Sequence, residues 1–280
     1  MLTSALVRTL SLGLLGLPAC ALCQAAPGAA TAPGAATAPA MQTLSAEQQT
    51  TLLSSAKSRY YNLRTAGVKS FTCNVEMDWP AVFVSINGKA LPDDNPAMKY
   101  LRASHLTMTG DLSGTSTAVW TLPEAKLEGQ QQFADQMTGG VKQMVEGFLE
   151  SWTPSLNGTL IPFKAQSVEK SGDGYVITEK AQDGSTRTTL DHSLQVTHIS
   201  TNTTAQTAEM DTTFVATPKG LVMTSIGGDS HQPPSAPSTH VIMTTAFQPV
   251  GDVQLPSELK VEVPNVAIFK MMFTGCTVQR

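Results

Sequence analysis

Once an export signal is set aside, the chain keeps two cysteines, one near each end, and each sits in a segment patterned like a strand. Residues 70–79 read Ser-Phe-Thr-Cys-Asn-Val-Glu-Met-Asp-Trp: Phe71, Cys73, Val75, Met77 and Trp79 are apolar and the residues between them polar. A period of two sends successive side chains to opposite faces, so this stretch predicts a half-buried strand. At the far end, Phe269-Lys-Met-Met-Phe-Thr-Gly-Cys276 predicts a second one. We expect the two strands to meet and Cys73 to bond to Cys276, closing the fold on itself. The competing reading leaves two buried free thiols. In the final strand Phe269, Met271 and Phe273 point one way and Ile268 and Met272 the other, which predicts burial on both faces.

Residues 1–23 carry Arg8, then the apolar run Leu10-Ser-Leu-Gly-Leu-Leu-Gly-Leu17, then small residues. That order is a secretory signal peptide, and the run is too short to span a bilayer. Cleavage follows Cys23 or Ala25. A second reading takes Leu17-Pro18-Ala19-Cys20 as similar to a lipobox, with Cys20 becoming the lipid-bearing N-terminus. The two readings give a periplasmic protein or a membrane-anchored lipoprotein. In either the compartment is oxidising, where pairing of Cys73 with Cys276 is expected. Residues 24–44 hold Ala-Pro-Gly-Ala-Ala-Thr twice, a linker with nothing to bury. Residues 45–280 then form one α+β domain.

Charged residues make up 14% of the chain and the net charge is −4, with no Lys/Arg cluster. Phosphate neutralisation has no footing here, which argues against nucleic-acid partners. Ser45 and Gln48 form a capping box opening a helix whose apolar residues recur through Leu63, with Gly67 as its left-handed cap. Pro80 stops the first strand and starts a short helix over residues 81–89. Leu91-Pro-Asp-Asp-Asn-Pro96 reads as a loop, where Asp93 and Asp94 lack the further ligands of a calcium site. Tyr100–Thr109 and Thr115–Leu122 read as strands. A second helix runs from about Pro123 to Trp152, with Met137, Val141, Phe148 and Trp152 on one face. Gly139-Gly140 predicts a break in it.

From Ser167 onward the pattern is a meander of strands: 167–170, 175–180, 186–190, 194–201, 207–217, 221–226, 239–250, 258–263 and 267–278. Short turns between them argue for antiparallel pairing. Residues 227–237, rich in Gly and Pro, predict an irregular loop. No nucleophile elbow, His-Glu-x-x-His or phosphate loop occurs, so we expect no enzyme activity, catalytic residue, metal or cofactor. The histidines 105, 192, 198, 231 and 240 are scattered, and neither Asp191-His192 nor Ser230-His231 gives triad geometry by adjacency.

Several segments carry a family likeness: Tyr60-Tyr-Asn-Leu-Arg-Thr-Ala-Gly-Val-Lys-Ser-Phe-Thr-Cys-Asn-Val75, Gly174-Tyr-Val-Ile-Thr178, and Gln254-Leu-Pro-Ser-Glu-Leu259 before a closing strand. In these, and in element order, residues 45–278 resemble the outer-membrane lipoprotein-sorting (LolA-like) periplasmic carriers. The resemblance implies a curved antiparallel sheet, an incomplete barrel, with helices covering its concave face, where acyl chains bind. The family's functional arginine, near the end of an early strand, is matched here only in position, by Arg102. That departure implies another lipid or acyl group as ligand. The implied cavity is lined by Trp79, by Met137, Val141, Phe148 and Trp152, and by Phe269, Met271 and Phe273. The partner is then a lipid or the acyl chain of a lipoprotein, with membrane association through a lipid on Cys20. The alternative is an envelope-associated structural or interaction module with a filled core.

Overall fold

A computed structural model describes residues 42–112, 116–124, 131–181, 183–204, 206–231 and 238–280. Residues 1–23, expected to be a signal sequence, together with Cys20, the alanine-rich repeat and residues 232–237, lie outside the described residues. Thirteen strands form one open, curved antiparallel sheet. Nine are neighbours in space as in sequence: β5 (Ser167–Ser171), β6 (Gly174–Ala181), β7 (Gly184–Leu190), β8 (Val196–Thr203), β9 (Thr207–Thr217), β10 (Gly220–His231), β11 (Thr239–Val250), β12 (Val253–Val263) and β13 (Ala267–Gln279). The N-terminal strands bracket this meander. The short β1 (Gln42–Thr43) pairs with β5, and β2 (Ser70–Met77) pairs with β13, followed by β3 (His105–Asp111) and the edge strand β4 (Ser116–Thr121). Four helices accompany the sheet among the described residues: α1 (Ala46–Ser58), α2 (Trp79–Asn87), α3 (Pro96–Ala103) and α4 (Gln131–Leu156). None is long and apolar enough to cross a membrane.

Alternation places one face of this sheet inside. In β9, Ala208, Met210, Thr212 and Phe214 are buried while Glu209, Asp211, Thr213 and Val215 are exposed. The same parity buries Phe71, Cys73 and Val75 in β2 and Phe269, Met271 and Phe273 in β13. Ile268 and Met272, on the other face of β13, are 45% and 39% exposed, so that strand is buried on one face only.

The β2–β13 seam carries the disulfide. Asn74 faces Thr274 and Thr72 faces Thr277, so Cys73 stands opposite both Gly275 and Cys276. This is a bulge, and Gly275 supplies the left-handed backbone (φ 57°) that such a bulge favours. Cys73 and Cys276 are bonded, with Cα atoms 4.1 Å apart and a sequence separation of 203. A disulfide of this kind fits an oxidising, exported environment.

Elsewhere local chemistry overrides the pattern. The Ser45–Gln48 capping box is present with both hydrogen bonds. However, α1 ends at Ser58, and Tyr60–Leu63 form a strap instead. Tyr61 N donates to Leu221 O, Tyr60 Oη accepts from Val196 N, Tyr61 Oη accepts from Gln254 N, and Leu63 N donates to Leu156 O. Those bonds hold β8, β10, β12 and the end of α4 together. Trp79 belongs to helix α2, not to the strand, because the Asp78 side chain accepts from Ala81 N and Pro80 sits in the first turn.

Residues 96–103 are helix, not strand. Asn95 caps Ala97 N, Pro96 starts the turn, and Ala97, Met98 and Leu101 are buried along one side. α4 continues unbroken through Gly139-Gly140 and on to Leu156. Gly227 and Gly228 belong to β10, not to a loop: a Cβ on Gly228 would stand 1.9 Å from Glu209 O, so glycine permits the β9–β10 approach. β12 starts at Val253, five residues early, because Pro256 sits at a bulge opposite Phe247.

The 203-residue span gives the disulfide about 5 kcal/mol in chain-entropy terms, an upper figure. Urea unfolding of C73A/C276A is expected to show a loss of about 3–5 kcal/mol. An unchanged midpoint would mean the seam holds without it.

Candidate functional site

The side of α4 that faces the sheet carries Val141, Val145, Phe148, Leu149 and Trp152, all buried. Phe148 stacks on Phe273 of β13 with ring centroids 5.6 Å apart, and Trp152 lies 5.3 Å from Phe148. Three of the predicted lining residues thus touch. Met137, Val141, Phe269 and Met271 belong to the same buried cluster. Their packing is close: every one of them is at most 9% exposed. Within this layer Trp152 Nε1 and the neighbouring Thr153 Oγ1 are buried without a hydrogen-bond partner among the described residues, as is Thr245 Oγ1 on β11. Each such atom forgoes a hydrogen bond at a cost of about 1–3 kcal/mol.

Trp79, the remaining predicted lining residue, stands at one side of the layer. It stacks on Trp120 of β4 with centroids 6.3 Å apart, and Trp120 Nε1 donates to Thr138 O of α4 at 2.8 Å. Next to it, Phe83 of α2 stacks on Phe133 of α4 at 6.0 Å. Ser85 Oγ bridges α2 to the backbone of Ile268 in β13. All three tryptophans of the chain are therefore in or beside this layer.

Beside Trp79 the sheet splays. The β2–β3 ladder ends at Val75 opposite Leu106, whereas β2 runs on to Met77. The gap is a cleft of about 550 Å³. Val75, Met77, Trp79, Leu101, Leu106 and Trp120 line it with apolar surface, and the exposed Asn74, Glu76, Arg102 and His105 form its polar rim, while Ser104 is buried with its hydroxyl on Tyr100 O. Arg102, in the last turn of α3 rather than on a strand, pairs with Asp93 of the preceding loop at 2.7 Å. Sequence patterning missed Trp120 and His105 as site residues and offered Arg102 only by its position in the family resemblance, since only the end of the ladder brings the three together. No family model, curated protein or solved structure matches the chain.

Other chemistry-bearing groups lie apart. Asp191, adjacent to His192, spends its carboxylate on the Gln195 N–H and the Ser193 hydroxyl, which fixes the turn before β8. In α1 the Lys57 ammonium lies over the Phe163 ring; burial lowers its pKa to about 8 against the attraction of Glu179. Among the described residues no three of His, Cys, Asp and Glu converge to hold a metal ion.

On the outer face of the meander His198 is clamped between Asp211 (2.8 Å to Nδ1) and Glu209 (2.6 Å to Nε2). Burial lowers its pKa, but the hydrogen bonds and attraction from Asp211 and Glu209 outweigh that and leave it raised. A raised folded-state pKa stabilises fully below the unfolded value of about 6.5, and the gain fades as pH climbs through the folded value. The melting-temperature difference between wild type and H198Q is thus expected to be largest near pH 6 and to shrink steadily above pH 7. A difference independent of pH would contradict the clamp.

Proposed function

We propose that the protein is an exported, periplasmic lipid- or lipoprotein-binding protein of the LolA-like kind, with no catalytic activity. In this reading the helices cover the concave face of the curved sheet, and an acyl chain occupies the layer between α4 and β13. The observation that carries it is the joining of two features at Trp79. An aromatic layer with orphaned buried polar atoms lies on one side, and an open cleft with an apolar floor on the other. A ligand site of this type is mostly apolar with a few polar groups at its rim. Met137 and Met144 add adaptable side chains to the covering helix, which can repack around a guest. Lipid on Cys20, in the same reading, tethers the domain to the membrane through the alanine-rich linker.

The tight stacking of Phe148 on Phe273 favours a second reading, an envelope-associated interaction module whose core is filled. The two differ in whether the layer admits a chain. Dibromostearate carries heavy atoms that quench indoles in contact with them. In a W79F/W120F variant, Trp152 is the one remaining tryptophan. Acyl binding predicts saturable quenching of Trp152 at about one ligand per chain, as for a single pocket of this kind. Emission that stays unchanged, with the fold intact by circular dichroism, would select the filled module.

A further inference from the structure

The acyl-binding reading leaves open what the ligand carries at its polar end, and the cleft at the β2–β3 gap bears on that. We propose that this cleft is the head-group subsite and that the ligand is a long-chain carboxylate. Its chain passes Trp79 into the layer beneath α4. The inference rests on the acyl-binding reading.

The amphipathic build of the cleft comes first. Leu101, Leu106 and Trp79 on its floor are buried and continuous with the core, whereas Arg102 and His105 on its rim are exposed. A ligand lying there keeps its charged end in water and its chain on apolar surface.

The charge of the rim comes second. Arg102 presents a planar fork of donors suited to a carboxylate. Its partner Asp93 is a loop carboxylate whose side chain is 79% exposed, and the Arg102 side chain is itself 44% exposed. An ion pair so open to solvent contributes little, so Asp93 holds the guanidinium in a geometry that a ligand carboxylate can take over at small cost. The imidazole of His105 is a further donor on the same rim.

The opposite wall limits the charge. Glu76 lines the cleft from β2, its Oε1 accepting from Thr274 Oγ1 at 2.9 Å. One guanidinium faces two carboxylates, Glu76 on the opposite wall and Asp93 beside it, so the rim admits at most a head group of single negative charge, seated on Arg102 in place of Asp93. A phosphate monoester, carrying nearly two, meets repulsion from Glu76 and Asp93.

The test uses the mature protein at pH 7.5, with tryptophan emission titrated against dodecanoate and dodecanol, which share a chain length and differ in charge. Wild type is expected to bind dodecanoate about tenfold more tightly, the scale of one charge-assisted hydrogen-bonded contact. R102Q should erase that preference by weakening dodecanoate and leaving dodecanol unchanged. D93N, which frees the guanidinium, should tighten dodecanoate alone. Equal binding of both probes by wild type, or a preference that survives R102Q, overturns the carboxylate subsite while leaving acyl binding standing. Binding of neither probe overturns both.

Discussion

The β2–β13 seam is the interaction on which the rest of the structure depends. The meander from β5 to β13 is built from neighbours in sequence and needs only local pairing. α2 and α3 lie between β2 and β3 in the chain, and strands β3 and β4 join the meander through the pairing of β2 with β13. That attachment joins residues some two hundred positions apart, at a large cost in chain entropy. A glycine bulge brings Cys73 and Cys276 together there, and the disulfide offsets that cost in advance by constraining the unfolded chain. The strap of Tyr60 to Leu63 then ties β8, β10 and β12 to the end of α4, a second long-range fastening made from hydrogen bonds.

Once the seam is in place, the position of the candidate site follows. β13 carries Phe273 to the sheet face where Phe148 of α4 can stack on it. β2 ends at Met77, and Asp78 after it caps α2, which brings Trp79 against Trp120. The cleft is a consequence of unequal lengths: β2 extends two residues beyond its pairing with β3, and α3 delivers Arg102 beside the gap. Apolar layer and polar rim are thus adjacent for topological reasons, which is why a chain-and-head-group ligand suits them.

Much of this was legible in the sequence where the signal is local. The succession of strands and short turns located β9, β11 and β13 to within a residue, and the Ser45–Gln48 pair located the start of α1. Cys73 and Cys276, each in a segment patterned like a strand, were readable as a disulfide. The errors came where one residue type serves two purposes. Gly228 marks close strand approach rather than a loop, Pro256 sits at a bulge rather than ending a strand, and Asn95-Pro96 opens a helix that composition alone reads as loop. Of the predicted lining, Phe148, Trp152 and Phe273 do meet, because a helical stripe and a strand face were each readable alone. Trp120 and His105 were not, and Arg102 only by position in the resemblance, because it is the end of the β2–β3 ladder that makes them neighbours.

The central claim is that the layer beneath α4 receives an acyl chain. The most direct measurement is native mass spectrometry of the mature protein purified from a bacterial periplasm, followed by denaturing lipid extraction. The account predicts a co-purifying lipid or fatty acid at close to one per chain. A bare protein mass that gains nothing on incubation with fatty acid or lipopeptide would contradict it and leave a filled interaction module.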